Sequence, residues 1–253
     1  MNAVISAQRS KFHLIAVAIG VLVCAAGGCS SFQTTDGVGQ FEQGLTLVLP
    51  GVEGKSFLSD NIAEALEDSH VLGAVEVHDW TTGRPLRSLE HLTNLERNQV
   101  EASRLAQHII QYRLASPTAP INLVGHSGGA AIIAMAVSQL PAEYRVNKVV
   151  LLSPAISPQF HIQDSLARCD ALWCFYSPYD FQLTVGTSIF GTVDRNFLFA
   201  AGAVGFDKDL PDDNLFQIPF RLDMIRDGNP GGHLGTTAYH FVSKQVAPIL
   251  LQN

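Results

Sequence analysis

The chain of 253 residues has little charge: 15% of its residues are Asp, Glu, Lys or Arg, and the formal net charge is -7. It shows no cluster of Lys and Arg, which argues against a nucleic acid as partner. It also lacks a Walker phosphate-binding loop, an H-E-x-x-H zinc motif and a G-x-G-x-x-G turn after a strand. Its four cysteines do not form C-x-x-C pairs. Nothing in these patterns predicts a metal or an organic cofactor.

Apolar residues, in contrast, are abundant. They make up 47% of the chain, and the length suits one α/β domain with a large core. Short apolar runs alternate with segments of helical periodicity from residue 45 onward. This alternation predicts a mostly parallel central sheet with helices on both faces, in a single domain at residues 44–253.

The most informative stretch is I-N-L-V-G-H-S-G-G-A-A-I-I-A-M-A at residues 121–136. An apolar run predicts a buried strand, and small apolar residues without a breaker until Pro141 predict a helix. Between them, Gly125 and Gly129 flank Ser127 with the G-x-S-x-G spacing of a nucleophile elbow. A sharp turn exposes the hydroxyl, and glycines avoid collision with the neighbouring strand and helix. The alternative is a chance match, because the motif is short.

With this strand, turn and helix in place, the chain resembles the α/β-hydrolase family from about residue 45 to the C-terminus. In that family the triad follows the chain order Ser, acid, His. Asp180 comes directly after the apolar run at residues 172–176, and His233 lies in a glycine-rich loop before a predicted closing helix. Both follow predicted strands, at the edge where sites form in open α/β sheets. The resemblance therefore implies a catalytic triad of Ser127, His233 and Asp180.

Both partners of the serine have competitors. Asp194 and Asp207 lie downstream of Asp180 and are alternative acids, in which case Asp180 is a surface-loop residue. His240 lies seven residues beyond the predicted base but inside the predicted closing helix, which favours a structural or exposed position. His126 adjoins the nucleophile, yet an elbow sends neighbouring side chains in different directions. We expect His126 to be packed and hydrogen-bonded rather than a base.

The resemblance also implies an oxyanion hole. The N–H of Gly128 and the positive end of the following helix suit a developing oxyanion. The loop after the first core strand supplies the second donor, often after a His-Gly pair. Here Pro50-Gly51 stands in that place, so the donor carried over is Val52. The alternatives are a plain strand-to-helix turn, and for Glu53 a contact with substrate or a helix cap.

Residues 1–28 predict a targeting segment rather than part of the fold. Arg9 and Lys11 precede an apolar stretch at residues 12–26 that is short for a membrane span. The sequence A-G-G-C ending at Cys29 resembles a bacterial lipobox, in which the cysteine is lipidated. This resemblance implies an exported, membrane-anchored lipoprotein of the bacterial cell envelope. An uncleaved anchor and an ordinary signal peptide cut elsewhere are the alternatives.

Three further features follow the targeting segment, and two of them have two interpretations each. The polar, glycine-rich residues 29–43 predict a loosely packed tether. Cys169 and Cys174 form a disulfide in an exported protein, or are simply buried. The apolar residues 181–206, after the predicted acid, form a wall or lid over the site, or pack in the core.

Together the motifs predict a serine-dependent hydrolase that cleaves small-molecule or lipid esters through an acyl-enzyme, without a metal or cofactor. An amidase or thioesterase using the same triad is an alternative. A non-catalytic surface binding protein that retains the fold is another, because fold alone does not establish function. The sequence does not indicate the acyl chain or the oligomeric state.

Overall fold

A computed structural model describes residues 35–84, 87–197, 199–207 and 213–252. The predicted signal peptide and Cys29 lie outside these residues, so lipidation stays a prediction. Among the described residues, no helix combines the length and apolar character needed to cross a membrane. Asp36–Asn253 form one compact unit.

A six-stranded sheet, with the order β2-β1-β3-β4-β5-β6, organises this unit. The strands are β1 (Leu45–Leu49), β2 (Ala74–Val77), β3 (Ile121–His126), β4 (Val146–Leu152), β5 (Cys169–Tyr176) and β6 (Leu215–Pro219). Every neighbouring pair is parallel, so all carboxyl ends lie at one edge. The chain reverses its direction of progress between β1 and β3, and ligands bind at such switch points in open α/β sheets. The parallel sheet confirms the predicted α/β-hydrolase architecture.

Helical elements connect the strands. They are α1 (Thr35–Gln43), α2 (Phe57–Asp68), α3 (Ser88–Thr93), α4 (Leu95–Ala115), α5 (Gly128–Ser138), α6 (Ile162–Leu166), α7 (Phe181–Phe190), α8 (Ala201–Val204), α9 (Tyr239–Phe241) and α10 (Ala247–Leu251). Short 3₁₀ helices at Leu222–Asp227 and Gly235–Thr237 and a π turn at Val242–Val246 complete the set.

Strand side chains alternate between two apolar layers, one on each face of the sheet. Leu45, Leu47 and Leu49 of β1 pack with α4, α5 and α6 on one face. Val48 packs on the other face with α2 and the C-terminal helical turns. Because both faces are covered, β1 and β3 are buried along their whole length, as their mostly apolar sequences indicate.

Helix α2 begins behind Ser56, which caps it, because Ser56 and Ser59 form a reciprocal capping box. The closing segment was expected to be one helix and is broken instead. Pro248 has no N–H to donate to the preceding turn, and the π turn at Val242–Val246 precedes it.

The segment before β1 also differs from the expectation. Thr35–Gln43 form a helix, which corrects the prediction of a loosely packed segment up to residue 43. Phe41 packs against the core, and its carbonyl accepts a hydrogen bond of 2.5 Å from the Tyr112 hydroxyl. Cys169 and Cys174 are both buried and free, so the disulfide interpretation is wrong. Burial raises the pKa of the Cys169 thiol to about 12, and raises that of Cys174 as well.

Candidate active site

Ser127 occupies the turn between β3 and α5 with φ 53° and ψ -117°, a strained conformation for a residue with a side chain. The N–H of Ser127 donates to the Leu152 carbonyl at 2.9 Å. The Ser127 carbonyl in turn accepts from Ala155 at 3.0 Å and Ala131 at 3.3 Å. The end of β4 therefore holds the strained turn, with the serine at the carboxyl edge of the sheet.

Close backbone packing explains each glycine of the motif. A Cβ at Gly125 would lie 2.7 Å from the Ala130 nitrogen. A Cβ at Gly129 would lie 2.3 Å from the Pro50 carbonyl oxygen, in the loop after β1. A side chain at Gly125 would collide with α5, and one at Gly129 would collide with the end of β1 and the loop that follows it.

The structure brings together the three residues that the sequence predicts as a triad. His233 Nε2 lies 2.9 Å from Ser127 Oγ, and His233 Nδ1 lies 2.7 Å from Asp180 Oδ2. A carboxylate accepts, so Nδ1 carries the proton and the Nε2 lone pair faces the serine hydroxyl. Asp180 is completely buried, and His233 is 9% exposed.

Asp180 uses both of its carboxylate oxygens. Oδ2 binds His233, while Oδ1 accepts the N–H of Leu183 at 2.9 Å and so caps α7. The rival acids are placed elsewhere. Asp194 accepts from the Ser157 N–H at 2.9 Å and the Thr192 hydroxyl at 2.6 Å, which closes a separate loop. Asp207 is exposed.

Several contacts hold the loop that carries His233. Ser177, after β5, donates its hydroxyl to the Gly231 carbonyl at 2.6 Å. His126 lies 3.1 Å from the His233 carbonyl through Nε2, and since a carbonyl only accepts, Nε2 carries the proton. Burial, with a smaller effect of the nearby His233, lowers the pKa of His126 to about 3. His126 is therefore a neutral, packed histidine, as expected. His240 is exposed.

The two predicted oxyanion donors adjoin each other. A Cβ at Gly128 would lie 2.8 Å from Val52 Cγ1, so the loop after β1 packs directly on the elbow. In the part of the chain that the structure describes, neither N–H donates a hydrogen bond. Both are thus available to an incoming oxygen atom, as the first N–H groups of a helix and a loop commonly are.

Glu53 follows Val52 and folds back over the loop. Its carboxylate would lie 2.3 Å from a Cβ at Gly51. Burial raises the pKa of Glu53, and backbone N–H groups and His233 partly oppose this. Its Oε1 is buried, and no hydrogen-bond partner is found for it in the described part of the chain. Because Ser56 caps α2, the capping alternative for Glu53 is wrong.

The apolar stretch after Asp180 has two sides. Leu183 and Thr187 of α7 are buried. Phe181, Val185 and Ile189 are 70%, 56% and 61% exposed and form an outer apolar stripe at helical spacing. The stretch is therefore partly core and partly an exposed apolar surface beside the site.

No group of three or more His, Cys, Asp or Glu side chains suited to a metal occurs among the described residues.

Known proteins share this architecture. Est1E from Butyrivibrio proteoclasticus superposes with a TM-score of 0.51 at 12% identity, over 82% of this chain and 87% of that chain. Aspergillus fumigatus lipase B superposes with a TM-score of 0.54 at 11% identity, over 88% of this chain and 55% of that chain. These likenesses concern the fold.

Sequence relatives are also found. The chain is 30% identical over 108 residues to pyrrolizixenacetamide deacetylase of Xenorhabdus hominickii, across 40% of this chain. It spans only 40% of the length of that relative. The model of the family described as "Alpha/beta hydrolase of unknown function (DUF900)" matches residues 62–202, more than half of the chain. The chain therefore belongs to this family of α/β-hydrolases.

Proposed function

We propose that this hydrolase uses Ser127 as its nucleophile and cleaves carboxylic esters through an acyl-enzyme. The observation that supports the proposal is the continuous contact from Ser127 Oγ to His233, at 2.9 Å, and from His233 to the buried Asp180, at 2.7 Å. A serine, a base within hydrogen-bond reach and a carboxylate that orients the base are the parts that nucleophilic catalysis requires.

Each residue then has one role in the reaction. Ser127 Oγ attacks the ester carbonyl while His233 Nε2 takes the hydroxyl proton. The N–H groups of Gly128 and Val52 donate to the oxyanion, and Asp180 stabilises the imidazolium. His233 returns the proton to the departing alcohol. Water then attacks the acyl-enzyme with the same histidine as base, which releases the acid and restores Ser127.

Amide hydrolysis by the same residues is a second candidate. The Xenorhabdus relative is named as a deacetylase of an acetamide. An amide, unlike an ester, carries an N–H. Glu53 Oε1 is a buried acceptor for which no partner is found among the described residues, and the nearby His233 lowers the pKa of this carboxyl. Turnover of matched p-nitrophenyl acetate and p-nitroacetanilide distinguishes the two. Loss of anilide turnover alone in Glu53→Ala favours the amidase; equal losses oppose it.

A fluorophosphonate probe tests the nucleophile without knowledge of the substrate. Ser127→Ala should abolish labelling and reduce ester turnover by at least about a thousandfold. Ser138→Ala, at the other end of α5, is the matched control and should label normally. Normal labelling of the Ser127→Ala variant would remove this serine from the mechanism.

We also propose that the N-terminal segment exports the chain and that Cys29 anchors it to a membrane of the cell envelope. The support is the basic, apolar and small-residue succession that ends in A-G-G-C. Intact mass of the mature protein tests this directly. A lipidated Cys29 at the new N-terminus is expected, and a free Cys29 or a mature start elsewhere would end the proposal.

A further inference from the structure

Three successive carbonyl groups in the loop between β1 and α2 accept hydrogen bonds. The Gly51 carbonyl accepts from the Gly54 N–H at 3.1 Å, which closes a tight turn. This carbonyl and the N–H of Val52 belong to one planar peptide group and point in opposite directions. The contact that holds the carbonyl therefore turns the Val52 N–H away from the turn, and no described residue accepts a hydrogen bond from it.

Side chains from outside the loop hold the peptide groups on either side. Trp80 donates its Nε1–H to the Pro50 carbonyl at 2.8 Å. His91 Nδ1 lies 2.7 Å from the Val52 carbonyl. Pro50, Gly51 and Val52 thus each have an occupied carbonyl, and the peptide between Gly51 and Val52 cannot rotate without breaking a contact.

The hydrogen-bond partners of His91 decide which of its ring nitrogens carries the proton. The N–H of Thr82 donates to Nε2 at 3.2 Å, so Nε2 carries no proton. Nδ1 is then the protonated nitrogen and donates to Val52. The His91 side chain is completely buried, so water does not compete for this bond.

The first turn of α4 holds the backbone of both residues. Asn98 donates to the His91 carbonyl at 2.8 Å, and Arg97 donates to the Trp80 carbonyl at 2.5 Å. The Arg97 guanidinium also lies 5.4 Å from the centre of the Trp80 ring. That ring reaches the elbow, since a Cβ at Gly128 would lie 2.9 Å from Trp80 Cζ2. The loop and the elbow are therefore positioned by the same indole.

From these contacts we infer that His91 and Trp80 are positioning residues that aim the Val52 N–H at the oxyanion. The inference rests on the proposed function, because it takes Ser127 as nucleophile. A donor helps the transition state only when it already points at the place where charge develops. The two residues act through the loop, so their effect should fall on turnover more than on substrate affinity.

The test compares two variants of His91 with p-nitrophenyl acetate. His91→Leu removes the donor, while His91→Asn places an amide N–H near the position of Nδ1. We expect kcat of His91→Leu to fall about 10- to 100-fold, with KM changed less than about threefold, and His91→Asn to recover most of the loss. Turnover is expressed per fluorophosphonate-labelled site, so a misfolded fraction does not count.

An aryl trifluoromethyl ketone supplies the second readout, since its adduct with Ser127 carries an oxyanion. Its affinity for His91→Leu should fall by the same factor as kcat. Trp80→Phe should show a smaller loss of the same kind, and Trp173→Phe, an indole outside the loop, should show none.

Unchanged kcat per labelled site and unchanged ketone affinity in His91→Leu would overturn the inference while leaving the serine mechanism intact. Failure of Ser127 itself to label in the native protein would instead overturn the proposed function.

Discussion

Helices α5 and α7 are similar in length and apolar composition but lie in different environments. Each follows a member of the proposed triad, Ser127 or Asp180, and the helices have 11 and 10 residues. Neither carries an ionisable side chain. Yet Gly128 to Val137 of α5 are all buried, whereas the buried residues of α7 are Leu183 and Thr187.

Position in the sheet explains the difference. α5 packs against β1, β3 and β4 and between α4 and α6, so it has neighbours on every side. The main helical neighbours of α7 are the short helices α3 and α8. Composition is thus a poor guide to burial when an apolar helix lies beyond the covered centre of a sheet. Exposed apolar surfaces of this kind commonly contact a ligand, a membrane or another protein.

The largest expected effect is on kcat and distinguishes the two roles of Asp180, which orients His233 and caps α7. Asp180→Asn should lower kcat about 10⁴-fold, because the imidazole loses its orienting charge. Asn remains a good helix cap, so α7 should persist and the thermal midpoint should change little. Asp194→Asn is the matched control and should keep most activity, since its carboxylate closes another loop. The reverse ranking in ester assays would move the acid to Asp194.

Two glycines test the packing difference directly. Gly129→Ala in α5 places a methyl group 2.3 Å from the Pro50 oxygen, and should cost about 1–3 kcal/mol or more. Gly186→Ala in α7 meets nothing within 4 Å and should stabilise the protein by about 0.5–1 kcal/mol. Urea unfolding measures both changes. Equal effects of the two substitutions would contradict the contrast between the helices.

The buried His126 should make the free energy of unfolding depend on pH in the acid range. His126 has a pKa of about 3 when folded and 6.5 as its ordinary value, so the unfolded chain binds its proton more tightly. Its contribution to stability is complete above about pH 6.5 and is lost as the pH falls toward 3. The slope in this window reaches about 1.4 kcal/mol per pH unit.

Replacing His126 should therefore flatten the acid limb. His126→Gln keeps an N–H near Nε2 but does not titrate, and its free energy of unfolding should depend less on pH between 6.5 and 3. His240→Gln, at an exposed position, should leave the wild-type slope. An unchanged slope in His126→Gln would show that this histidine is not buried in neutral form.

The smallest effect concerns the exposed stripe of α7. Val185→Ser with Ile189→Ser should change stability by about 0.5 kcal/mol or less, whereas Ile132→Ser in α5 should cost several times more. If the stripe contacts acyl chains, kcat/KM should rise from acetyl to hexanoyl p-nitrophenyl esters, by at most about fourfold per methylene. The double variant Val185→Ser with Ile189→Ser should lose the increase in kcat/KM with chain length and keep its turnover of the acetyl ester. An identical chain-length profile would exclude the stripe from substrate binding.

The elbow could be predicted from sequence because it depends on local constraints, whereas the order of Ser127, Asp180 and His233 was implied by the resemblance to the α/β-hydrolases. Glycine is required around Ser127 by close packing, and parallel strands deliver Asp180 and His233 to one edge of the sheet. Strand positions follow from apolar runs, although β5 begins three residues before the apolar run at residues 172–176. Edges of elements are poorly defined because strand pairing extends beyond the apolar residues.

His91 and Trp80 carry no comparable signal. Their partners Val52 and Pro50 lie 39 and 30 residues away along the chain, and no short motif joins them. The packed neutral state of His126 also depends on His233, 107 residues away.

Local sterics and hydrophobic pattern, which the sequence carries by itself, determined the parallel sheet and the turn at Ser127. The resemblance to the α/β-hydrolases implied the chain order of the proposed triad. Only the tertiary structure decided that α7 exposes its apolar stripe while α5 is enclosed. It alone also decided which side chains hold the loop between β1 and α2, because burial and long-range hydrogen bonds exist only once separate segments have packed together.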